Sequence, residues 1–188
     1  MTERELSILE AAQSVFAKYG VAKTTMSDIA EAAGVARQTV YNAFATKNDI
    51  LRASVRIETE RSIAEVRAAW ETAVNLAERI EIFQTIGPLR WYEIVETYPD
   101  LADLLEGLNS IAAEEIEKGK LAWEKLFVSM FEQQGIVAVD PSLTHADLAD
   151  FLYSSGKSAK YGAQSKAHVK QRLHVSKIAL LNLVKPGS

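Results

Sequence analysis

The chain of 188 residues has no cysteine, only four prolines and nine glycines. Without thiols there can be no disulfide staple, no thiolate nucleophile and no cysteine-bound metal. No apolar run is long enough to span a bilayer. The opening Met1-Thr2-Glu3-Arg4-Glu5 is charged and runs into an amphipathic pattern, unlike a signal peptide, so a cytoplasmic protein is expected. Strand signals are missing, because β-branched residues are scattered and no stretch alternates over several positions. The three histidines, His145, His168 and His174, lack metal-ligand spacing on one face. Gly156-Lys157-Ser158 echoes the end of a phosphate-binding loop, but the motif needs a glycine where Phe151 stands, and no strand precedes it. No nucleophile elbow or zinc-protease motif occurs. The expectation is therefore a non-enzyme with no catalytic residue, metal or cofactor. A formal net charge of -4 excludes a surface coated in basic charge, though not a local basic patch.

Apolar side chains make up 48% of the sequence and charged ones 24%, enough to bury a core. Their periodicity is helical nearly throughout, and the expected class is all-α. Ile8, Leu9, Ala12, Phe16 and Tyr19 line one face of a helix from about Glu3 to Tyr19, which Gly20 ends. Thr25, with Asp28 three residues on, caps a short second helix that stops at Gly34. A third runs from about Arg37 to Ala43, and Thr46 caps a fourth over about Lys47 to Trp70. Longer helices follow at about Leu76–Ile86, Leu89–Thr97, Leu101–Leu108, Ile111–Gln134, Thr144–Tyr161 and Ser165–Val184, with a loop at Gly135–Ser142.

The informative stretch runs from Ser27 to Phe44. Two short helices that cross steeply need a small residue at the crossing, and Ala30 supplies it. Gly34 stands four residues later, where the turn calls for a positive φ. Val35 and Val40 fill the space between the helices above Ile29. Small, glycine, apolar, apolar at these spacings, behind an amphipathic helix, is a helix-turn-helix signature. Its third helix is the one that would enter a major groove, presenting Arg37, Gln38, Thr39 and Asn42. Arginine suits guanine, while glutamine and asparagine suit adenine. Tyr41 and Lys47 suit phosphates, and Thr25, at a helix start, suits another.

Residues 6–52 resemble the N-terminal domain of the TetR/AcrR regulators. The resemblance rests on Ile8-Leu9, Ala11-Ala12, Phe16, Gly20, Thr24-Thr25, Asp28-Ile29-Ala30, Ala33-Gly34-Val35, Val40-Tyr41, Phe44, Lys47 and Leu51. It implies a DNA-binding domain over 1–48 and a helical ligand-binding and dimerisation domain over 49–188. The implied protein is a regulator released from a palindromic double-stranded operator by a small-molecule effector, acting as a homodimer that pairs through its last two helices. One departure is Ala36, where such proteins usually carry Ser or Thr; a lost cap costs about 1 kcal/mol.

The body is rich in aromatics. Trp91, Tyr92, Trp123 and Phe127 are candidate ligand contacts, although residues at helical spacing, like Trp123, Phe127 and Phe131, equally fill cores. From Phe151 onward there is no acid, while Lys157, Lys160, Lys166, Lys170, Arg172 and Lys177 punctuate the stretch. This basic face could meet Asp103, Glu106, Glu114 or Glu115, lie solvated, or rest on a membrane surface. Two other readings stay open at this point: a helical binder or enzyme that retains the N-terminal fold, and an architectural DNA binder without a ligand.

Overall fold

The computed structural model describes residues 1–97 and 111–187. The helix expected over Leu101–Leu108, with Asp103 and Glu106, lies outside the described residues. The chain divides into two compact units, Met1–Thr59 with Val95–Glu117, and Glu60–Ile94 with Lys118–Ser188.

In the first unit, α1 (Glu3–Tyr19), α2 (Met26–Ala32), α3 (Arg37–Ala43) and the beginning of α4 (Lys47–Trp70) surround one apolar core. Local chemistry sets the helix starts. Thr2 accepts a hydrogen bond from the Glu5 N–H and Thr25 from the Asp28 N–H, each acid answering back to the cap. Gly20 ends α1 with φ 77, a left-handed value that other residues avoid. Ile8, Ile29, Val40 and Ile50 are fully buried, so each of the four helices contributes to the centre. Tyr19, at the far end of the α1 face, is exposed instead.

In the second unit, α5 (Leu76–Gln84) leads through a π-turn (Thr85–Leu89) into the start of α6 (Arg90–Thr97). Gly87-Pro88 therefore does not break the helix as its composition suggests. The wider π-turn accommodates a residue that lacks an N–H and carries a bulky ring. A Cβ on Gly87 would meet the Phe83 ring at 3.2 Å, so the glycine allows close packing. Next come α7 (Ala113–Gln133), α8 (His145–Ala159) and α9 (Lys166–Leu183). Thr144 and Ser165 cap the last two. Phe83, Trp123, Phe127, Phe131, Leu148, Leu152 and Leu180 form the main core here.

A two-stranded antiparallel sheet pairs β1 (Ile136–Ala138) with β2 (Val184–Pro186), in the register Val137 opposite Lys185. The sequence pattern missed it and extended the last helix to Val184. Three-residue strands are too short to show alternation. Among the described residues, no helix is long and apolar enough to cross a membrane.

Candidate nucleic-acid interface

The turn between α2 and α3 is built from the backbone. The Val35 N–H donates to the Ala30 carbonyl at 3.0 Å and the Gly34 N–H to the Glu31 carbonyl at 3.1 Å. Gly34 has φ 64, and an added Cβ there would meet nothing within 4 Å; the position needs glycine for conformation, not for space. Ala30 is buried at the crossing, and Val35 packs against the same core. As its side chain dictates, Ala36 leaves α3 without a side-chain cap.

The turn fixes which face of α3 points outward. Val40 goes into the core, so Arg37, Gln38, Tyr41 and Asn42 stand exposed and Thr39 half-buried. The exposed residues pair along the helix at four-residue steps. Gln38 Nε2 donates to Asn42 Oδ1 at 2.9 Å. Arg37 Nη2 donates to the Tyr41 hydroxyl at 3.2 Å, with its guanidinium 5.3 Å from the ring centroid. The face thus presents a carboxamide pair beside a guanidinium-phenol pair, both solvent-facing.

Thr25 and Lys47 are more committed. The Thr25 hydroxyl accepts from the Asp28 N–H and donates to Asp28 Oδ2 at 2.9 Å, while its N–H donates to the same oxygen at 2.7 Å. Those bonds, the backbone one first, hold the Asp28 carboxyl below its ordinary range. Lys47 Nζ donates to the carbonyls of Val21 (2.5 Å) and Thr24 (2.9 Å). Two of its three ammonium hydrogens therefore fasten the α1–α2 loop to the start of α4, and one remains for another acceptor. Thr24, named in the sequence only as part of the resemblance and given no role there, is buried and donates to the Gly20 carbonyl at 2.8 Å, closing the same loop.

The four body aromatics fall in two places. Trp123 and Phe127 are buried together, their centroids 5.7 Å apart, with Phe83 4.7 Å from Phe127 in an edge contact. Tyr92 packs against a separate cluster of Leu89, Ala159, Val169 and Leu173, and half-buried Trp91 lies 5.5 Å from Lys160 Nζ. The basic stretch finds acids the sequence reading did not single out. Lys177 pairs with Glu81 and Lys166 with Glu93, and Arg172 donates to the carbonyls of Ala159 and Tyr161.

A buried crossing, a left-handed glycine turn and an exposed third helix define a helix-turn-helix domain of the DNA-binding class. Residues 8–54 match the family model of bacterial regulatory proteins, tetR family. The chain is similar to the HTH-type transcriptional regulator TtgR of Pseudomonas putida, 47% identical over 51 residues that cover 27% of this chain and 24% of TtgR. It is 30% identical to the HTH-type transcriptional repressor KstR2 of Mycobacterium tuberculosis over 81 residues, 43% of this chain and 40% of that protein. The matches thus span about a quarter to two fifths of these relatives' own length. The likeness in fold runs further: Salmonella enterica GusR superposes with a TM-score of 0.69 over 97% of each chain, at 20% identity. Over residues 8–54 the chain thus resembles the tetR family of bacterial regulators, and beyond them the likeness is one of fold.

Proposed function

We propose that the chain is a sequence-specific transcriptional repressor. In this reading residues 1–48 bind double-stranded DNA, and residues 49–188 dimerise and take a small-molecule effector. The observation that carries the reading is the α3 face, where Arg37, Gln38, Tyr41 and Asn42 are exposed and bonded only to one another while Val40 anchors the helix. Side chains held outward on a rigid element, with free donors and acceptors, are what base reading requires. Gln38, Arg37 and Thr39 read bases. Tyr41, the remaining Lys47 hydrogen and Thr25 at the start of α2 touch phosphates.

Two recognition helices in a symmetric dimer would meet successive major grooves about 34–36 Å apart, so the operator is a near-palindrome. The effector acts by binding the DNA-incompetent shape better than the competent one. Selection from a random duplex pool at two salt concentrations tests the reading. The expected result is enrichment of one inverted repeat, with affinity falling steeply in salt as phosphate counterions are released. A folded protein that enriches no site would overturn it.

The proposed dimer uses the last two helices. Val175 and Ile178 are 55% and 45% exposed and lie three residues apart on α9. Exposed apolar neighbours of this kind are costly in water unless covered. Replacing both by aspartate is expected to convert a dimer into a folded monomer, read by sedimentation velocity. A double variant that sediments like the parent would place the interface elsewhere.

A further inference from the structure

Gln38 and Asn42 are exposed on one face of α3, a helical turn apart. The bond between them, Gln38 Nε2 to Asn42 Oδ1 at 2.9 Å, leaves the two side chains unequally equipped. Gln38 keeps its Oε1 and one Nε2 hydrogen, an acceptor beside a donor. Asn42 keeps its Nδ2 hydrogens, but its Oδ1 is turned to Gln38. Adenine offers an acceptor and a donor on its major-groove edge, so gripping it takes a donor and an acceptor together. Gln38 has both to spare.

Place on the helix separates the two further. Gln38 is the second residue of α3 and Asn42 the last but one. Recognition helices meet base edges with their N-terminal residues. The neighbouring pair repeats the pattern: Arg37, in the first turn, donates from Nη2 to the hydroxyl of Tyr41, one turn later, at 3.2 Å. Each first-turn side chain is thus braced by one from the second turn. A long carboxamide free in water turns about all its side-chain bonds, and gripping a base freezes it at an entropic cost. A brace formed before binding removes part of that cost. It also fixes which way the amide faces. A carboxamide turned the wrong way against a base edge leaves its own groups and the base unpaired where water has gone.

We propose that Asn42 is a positioning residue, which holds the Gln38 carboxamide in the orientation that reads a base and does not itself read one. The inference rests on the DNA-binding reading of α3 and names what sets its specificity at one base pair of each half-site.

The test is selection from a random duplex pool with the full chain and with Asn42→Ala and Asn42→Asp, read as the preference at each base pair of the enriched site. Gln38→Ala marks the pair that Gln38 reads. Asn42→Ala is expected to flatten the preference there by roughly 2- to 10-fold per half-site, about what one net hydrogen bond is worth. The pair read by Arg37, which Tyr41 braces, keeps its preference. Asn42→Asp retains the acceptor and restores the preference at the Gln38 pair, although its charge weakens binding evenly across sequences. Alanine is a better helix former than asparagine, so Asn42→Ala keeps the fold. A second measurement needs no DNA: magnetic relaxation of the Gln38 side-chain amide nitrogen, expected to be ordered in the parent and in Asn42→Asp and mobile in Asn42→Ala. A parent that enriches no site overturns the DNA-binding reading, and this inference with it. A site enriched by the parent, with the same profile in Asn42→Ala, overturns the inference alone. So does flattening at a pair that Gln38→Ala leaves untouched, which makes Asn42 a base reader in its own right, or a Gln38 carboxamide equally mobile in all three proteins.

Discussion

Gln38→Ala is expected to weaken operator binding by roughly 2–6 kcal/mol while leaving the fold as stable as before. A paired donor-acceptor contact to one base is worth about 1–3 kcal/mol, and a two-fold symmetric complex loses it twice. The geometry supports such a contact. One Nε2 hydrogen of Gln38 is held by Asn42 Oδ1 at 2.9 Å, which orients the carboxamide and leaves its oxygen and second N–H outward. Those two groups match N6 and N7 of adenine. The fold hardly depends on them: an exposed i,i+4 pair stabilises a helix by only about 0.2–0.5 kcal/mol, and the core beneath is made by Val40 and its neighbours. Binding to the selected site and to a site altered at one base pair, together with a melting curve, would check this. A base-reading glutamine loses discrimination at one position. A residue that only touches phosphate loses affinity evenly across sequences. An even loss would move Gln38 to the phosphate-binding group.

That α3 face was legible in the sequence because the turn before it has local demands. The left-handed value at Gly34 needs glycine, the crossing at Ala30 needs a small side chain, and Thr25 with Asp28 announces a helix start. Each signal lies within a few residues of the structure it dictates. The pairing of Arg37 with Tyr41 and of Gln38 with Asn42 follows from four-residue spacing once the helix is placed. What escaped depends on distance along the chain or on tolerance. Lys47 meets carbonyls more than twenty residues earlier in the sequence, so its tether has no local signature. Gly87-Pro88 looks like a break, because local reading assumes an α-helix, and the π-turn accepts it. The partners of Lys166 and Lys177, Glu93 and Glu81, lie on helices that only the fold brings near. The aromatics show the limit most clearly. Spacing placed Trp123 and Phe127 on one face but carried nothing about whether that face meets a core or a ligand.

A substitution at Phe127 decides between those roles. Phe127 is 0% exposed. Its ring stands 4.7 Å from Phe83, 5.7 Å from Trp123 and 6.3 Å from Trp70, centroid to centroid. Cutting a phenyl group from such a site removes its own transfer free energy and leaves a cavity that large neighbouring rings fill poorly, which together cost about 3–5 kcal/mol. Set against a typical total of about 5–15 kcal/mol, that is a large share. Phe127→Ala is therefore expected to lower the denaturant midpoint sharply and to weaken the near-ultraviolet dichroism of the flanking tryptophans. Phe127→Leu, which keeps more of the volume, should fall between the two. The helix-turn-helix core contains none of these rings, so the loss should appear in the body's own signals. If Phe127→Ala instead costs less than about 1 kcal/mol, well under the cavity range, the ring does not support a packed core. Phe127 would then belong to a ligand-lining surface, and Trp123, stacked on it, would belong there as well.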